Sequence, residues 1–106
     1  MERAVTSQGE EPVDRVVRAV REHPSVVRLD AGRYGDIASH LPGRRVDGVR
    51  LTEGDAPVEV GVVLRLDRPL PEIVADLRIR VAGVVGDRPV DVTVSDVVTD
   101  EPGGAG

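Results

Sequence analysis

Residues 57–98 read PVEVGVVLRLDRPLPEIVADLRIRVAGVVGDRPVDVTVSDVV, and this stretch decides the fold. Val58, Val60, Val62, Leu64 and Leu66 fall at every second position, the spacing that lines one face of a β-strand. Leu70, Ile73, Val74, Leu77, Val81, Val84 and Val85 then follow at steps of three and four, which makes one stripe of an α-helix. Val90, Val92 and Val94 return to period two. Pro71 suits the first helical turn, Glu72 lies at the positive end of the helix dipole, and Gly86 is a left-handed terminator. A strand, helix, strand run of this length predicts a parallel crossover, with the helix over the face formed by Val60, Val62, Leu64 and Val92. The alternate positions Glu59, Gly61, Val63 and Arg65, with Asp91, Thr93 and Ser95, are mostly polar and predict a second face open to water.

Upstream, Val13, Val16, Val17 and Val20 lie at i, i+3, i+4 and i+7 behind Pro12, which predicts a first helix ending near His23, ahead of Pro24. Its valine stripe has to share the apolar face of the sheet. Val26, Val27 and Leu29 predict a short strand, and Gly32 and Gly35 mark a turn in which Tyr34 is expected to cover the edge of the core. Asp36–Leu41 reads as a short helical turn closed by Pro42-Gly43, and Arg44–Thr52 as an extended piece with Gly48 as a bulge. The expectation is an α/β (α+β) two-layer sandwich in the order α-β-β-β-α-β, with two helices on one face of a mixed sheet. Residues 11–98 are expected to form its single domain, with 1–10 and 99–106 expected as disordered polar tails.

A chain of 106 residues has room for one core. With 14 basic and 19 acidic residues the net charge is −5, the wrong sign for affinity built on phosphate neutralisation, so nucleic acid is not an expected partner. All the basic residues are arginine, a bias that reads as GC-rich bacterial coding sequence. Cysteine is absent, which removes disulfides, thiolate metal sites and a cysteine nucleophile. Neither a signal-peptide pattern nor a membrane-spanning apolar run is present, and a cytoplasmic location is expected.

Few residues are spaced for chemistry. Asp36 and His40 are four residues apart, but two ligands do not make a zinc site and no third lies near them in sequence. Ser39 and His40 are adjacent, so their side chains diverge and no nucleophile–base dyad forms. Gly83-Val84-Val85-Gly86 stands at the end of a helix, whereas phosphate cradles stand at the start. Arg44-Arg45 with Arg15, Arg18 and Arg21 are interleaved with acids and read as a solvated mixed-charge face. No catalytic residue, cofactor or metal is assigned.

Three segments together carry a family resemblance. They are the leading helix running into Pro24-Ser25-Val26-Val27-Arg28-Leu29, the run Leu41-Pro42-Gly43-Arg44-Arg45-Val46-Asp47-Gly48-Val49-Arg50-Leu51, and the unit from Val58 through Pro71-Glu72-Ile73-Val74 to the closing Val90–Val97 strand. The chain resembles the alkaline shock protein (Asp/Gls) family of Gram-positive bacteria, also described as an envelope stress response family. Ser25 stands where members often carry glycine, and Leu66-Asp67-Arg68-Pro69 replaces a commoner tyrosine-glycine lead into the second helix. The resemblance implies a small cytoplasmic, non-enzymatic domain tied to cell-envelope homeostasis, able to self-associate and in some members held at the membrane by a separate anchoring protein.

The leading expectation is therefore a protein-interaction domain acting as a self-associating scaffold. A protein partner is expected on the open sheet face around Arg50, Glu59, Arg65 and Thr93, or on an exposed strand edge, without direct membrane insertion. The alternative is a small RNA-binding domain of K-homology-like shape. Against it stand the missing Gly-x-x-Gly loop between two helices and the acidic balance.

Overall fold

A computed structural model describes residues 11–99. The tails expected at 1–10 and 99–106 lie, apart from Thr99, outside the described residues. Helix α1 spans Pro12–Arg21, strand β1 Val26–Leu29, β2 Ala38–Leu41, β3 Arg44–Asp47, β4 Val49–Arg50 and β5 Val58–Arg65. Helix α2, Leu70–Val85, and strand β6, Val90–Val98, complete the chain. The α+β class and the expected succession of helices and strands are present.

Each helix begins and ends where its chemistry directs. At the start of α1 the Asp14 carboxylate accepts the Glu11 backbone N–H at 2.8 Å, and the Glu11 side chain caps the Asp14 N–H in return. Asp14 also takes both ends of the Arg44 guanidinium, at 3.0 and 2.8 Å, which fastens the helix to β3. Helix α2 ends at Gly86, whose φ of 84° a residue with a Cβ rarely adopts.

Strand β5 is the axis of the sheet. Strand β6 runs parallel to it along one edge, from Val58↔Val90 to Arg65↔Val98. Along the other edge β1 and β4 lie end to end, both antiparallel, β1 against Val62–Leu64 and β4 against Glu59 and Val60. The two meet at Gly61, whose N–H donates to the Gly48 carbonyl and whose carbonyl accepts the Asp30 N–H, each at 2.9 Å. At Ser95 a bulge shifts the β6 register, so that Val97 pairs with Leu64 and the apolar row of β6 resumes on the helix face.

Val58, Val60, Val62 and Leu64 of β5 are fully buried beneath Val13, Val16 and Val20 of α1 and Ile73, Leu77 and Val81 of α2. Both helices thus cover one face of a mixed sheet. Burial of this many small apolar side chains, each contributing roughly 1.5–3 kcal/mol, replaces the large aromatic anchors that the chain lacks.

Three local expectations are corrected. The second sheet face is not uniformly wet: Gly61 and Val63 are buried there, and Ile37 packs toward Gly61, held by its N–H to the Ala31 carbonyl and by its carbonyl to the Gly48 N–H. Asp36–Leu41 is not a helical turn, because Ala38–Leu41 forms a hairpin with β3, from Ala38↔Asp47 to Leu41↔Arg44. Tyr34 does not cover the core; it is 81 % exposed.

Candidate functional site

The four residues expected at a partner-binding face are distributed along the second face of the sheet. Arg50 and Glu59 are direct cross-strand neighbours, with an ion pair at 3.5 Å between two half-exposed side chains. Thr93 lies exposed on β6 beside Gly61, where it lines a hollow of about 410 Å³ with Asp30, Arg33 and Ser95. Arg65 is at the far end of β5, its Nη1 donating to the Pro24 carbonyl at 3.1 Å. Ile37 over Gly61 divides this face between Glu59 and Arg65, so the four do not form one continuous surface.

A larger groove, of about 610 Å³, lies between the start of α1, the β2–β3 hairpin and β4. Val13, Leu41 and Leu51 give it apolar walls, and Glu11, His40, Arg50 and Arg88 lie at its margins. Arg88 is fixed by backbone carbonyls: Nε donates to Ala56, and Nη2 donates to Thr52 at 2.6 Å and Ala56 at 2.7 Å. Its donors therefore close the loop between β4 and β5. Ser39 is used in the same way. Its hydroxyl donates to the Val49 carbonyl at 2.7 Å and accepts the Leu51 N–H at 3.2 Å, while His40, next in an extended strand, points to solvent.

A buried polar cluster that no spacing of residues announces lies where α1, β1 and α2 converge. His23 and Ser25 are almost fully buried. The His23 ring accepts the Ser25 backbone N–H at Nδ1, 3.0 Å, which leaves its neutral-form proton on Nε2, facing Asp76 Oδ2 at 3.3 Å. The Ser25 hydroxyl turns the other way and donates to Asp67 Oδ1 at 2.7 Å. Arg68 completes the group at 3.2 Å from Asp76. The His23 hydrogen bond, aided by Arg68 and opposed by desolvation, holds the Asp76 carboxyl below the usual aspartate range.

Serine, histidine and aspartate are thus close together without a relay. A nucleophile needs its hydroxyl on the imidazole, and here both ring nitrogens are engaged elsewhere. The arrangement ties the turn after α1 to the β5–α2 connection and to α2. No signal in one sequence could have found it, because His23 and Asp76 are 53 residues apart and neither belongs to a spaced motif.

Among the described residues no group of three or more His, Cys, Asp or Glu side chains could hold a metal ion, and no helix is long and apolar enough to cross a membrane. Fold and surface define a two-layer α+β domain whose buried polar groups are engaged in tying its elements together. No family model, no curated protein and no solved structure matches the chain.

Proposed function

We propose that the chain is a non-enzymatic protein-interaction domain, a self-associating cytoplasmic scaffold that serves cell-envelope homeostasis through a membrane-anchoring protein partner. The observation that supports an interaction role is the open edge of β6, nine residues long and paired only with β5 among the described residues. The envelope setting rests on the resemblance of the Pro24–Leu29, Leu41–Leu51 and Val58–Val97 segments to the alkaline shock family. The buried polar residues favour the same reading, since Ser25, Ser39 and His23 direct their polar atoms at neighbouring elements.

The test is affinity capture after in-cell cross-linking, with and without envelope stress. Recovery of further copies of the chain and of one integral-membrane protein, enriched by stress, is the expected result. Recovery of neither would overturn the reading. A salt-dependent shift of RNA mobility by the purified chain would favour the K-homology-like alternative.

A further inference from the structure

The free edge of β6 is closed at both ends by side chains and open only in the middle. The Val58 N–H donates to the Pro89 carbonyl and the Leu66 N–H to the Val98 carbonyl, which fixes which backbone groups β5 consumes. With the Ser95 bulge between them, Val90, Val92, Val94 and Val97 are left turned outward. Arg78 Nε donates to the Val90 carbonyl at 3.2 Å, and the Asp96 carboxylate accepts the Val97 N–H at 2.9 Å. Between these two caps, both groups of Val92 and both groups of Val94 have no partner among the described residues.

We infer that this window pairs with the same window of a second copy, antiparallel, about a two-fold axis at Thr93. The inference rests on the self-association in the reading above and names its surface. On that axis Val92 exchanges two hydrogen bonds with Val94 of the second copy, and Val94 two with its Val92. All four open groups of each copy are used, and neither cap is disturbed. Thr93 meets Thr93 of the second copy, and Asp91 meets the Ser95 hydroxyl, so no carboxylate lies directly opposite another.

Packing favours the same occupant. On the helix face Val60 and Val62 of β5 are fully buried, whereas their β6 neighbours Val92 and Val94 are only half-buried. A second valine row laid beside them extends the core across the axis. Because the copies carry −5 each, added salt should strengthen the pairing by screening their repulsion.

The chain has no cysteine, so one introduced thiol reports directly on the axis. Facing Cα atoms in such a pair are about 4.5 Å apart, inside the range of about 4.4–6.8 Å that a disulfide spans. In a glutathione buffer Thr93→Cys should form a covalent dimer at least about tenfold faster than Ile79→Cys, placed at a 70 % exposed helix position; a tenfold ratio corresponds to about 1.4 kcal/mol. Sedimentation should show a dimer that Thr93→Arg dissociates, while the variant keeps a cooperative melt whose midpoint no longer rises with protein concentration. A dimer by mass in which Thr93→Cys cross-links no faster than Ile79→Cys overturns the β6 surface and leaves the scaffold reading standing. A monomer at every concentration overturns both the surface and self-association. Cross-linking of Thr93→Cys in cells to a different protein, and not to itself, overturns the second copy and gives the edge to a partner strand.

Discussion

The backbone of Asp30 passes directly over Gly61, so closely that a Cβ on residue 61 would overlap the Asp30 carbonyl oxygen. The approach is held by the Asp30 N–H on the Gly61 carbonyl and by the Gly61 N–H on Gly48. Two short strands can therefore share one edge of β5, because the position opposite their junction has no side chain. Gly61→Ala should lower unfolding free energy by about 3 kcal/mol or more, since neither backbone can move without losing a ladder bond. Gly83→Ala is the control: its Cβ would meet nothing within 4 Å, and a helical position should gain about 0.5–1 kcal/mol. Urea denaturation of the two variants gives both signs, and equal stabilities would refute the close approach.

Val62 lies at the centre of the helix face with 0 % exposure, beneath both helices. Val62→Asp should leave the chain unfolded, because the cost of an unpaired buried carboxyl, about 4 kcal/mol or more, is comparable with a net domain stability of about 5–15 kcal/mol. Glu59→Ala removes one exposed ion pair with Arg50 and should change stability by no more than about 1 kcal/mol. Circular dichroism melts distinguish the two, and a cooperative melt for Val62→Asp would show that the helix face has been misassigned.

Asp76 and Asp14 both titrate below ordinary aspartate, the first chiefly through its hydrogen bond with His23, the second chiefly through that with Arg44. A depressed folded-state pKa contributes stability that is present above the unfolded value, about 3.9, and is lost as pH falls through the folded value. Asp76→Asn and Asp14→Asn should each flatten the fall in urea midpoint below about pH 4, and the double variant should be flatter still. Both carboxylates are only partly buried and remain within reach of solvent, so the effect should be small and should shrink in high salt. An unchanged pH profile in the double variant would remove these pairs from the acid sensitivity of the fold.

Helix α1 has no apolar face to offer a lipid surface. Val13, Val16 and Val20 are within 3 % of complete burial against the sheet, and the stripe contains none of the large side chains that interfacial helices insert. The acidic balance is unfavourable near anionic headgroups, where each basic residue gains about 1 kcal/mol. Purified protein should stay at the bottom of a flotation gradient with anionic vesicles at physiological salt. Flotation with lipid alone would make a membrane-anchoring partner unnecessary.

Elements whose residues repeat over two or more turns or pleats are legible in the chain alone. Burial imposes a period of two on β5 and of three to four on α2, and these periods are legible without a structure because one face of each element must be apolar. The same holds for the valine stripe of α1 and for its start at Pro12. The four-residue strands β2 and β3 are too short to show a period, and what makes them extended is distant: the Ser39 hydroxyl on Val49 and the Arg44 guanidinium on Asp14. Gly61 reads as one residue in a polar row until Asp30 is placed above it. His23, Ser25, Asp67 and Asp76 become a cluster only when three elements converge, and the open window at Val92 and Val94 follows from which edge of β6 is turned to β5. Local periodicity records that each segment must bury one face; what it is buried against is settled in three dimensions, because those partners lie tens of residues away and their choice depends on packing the whole core at once.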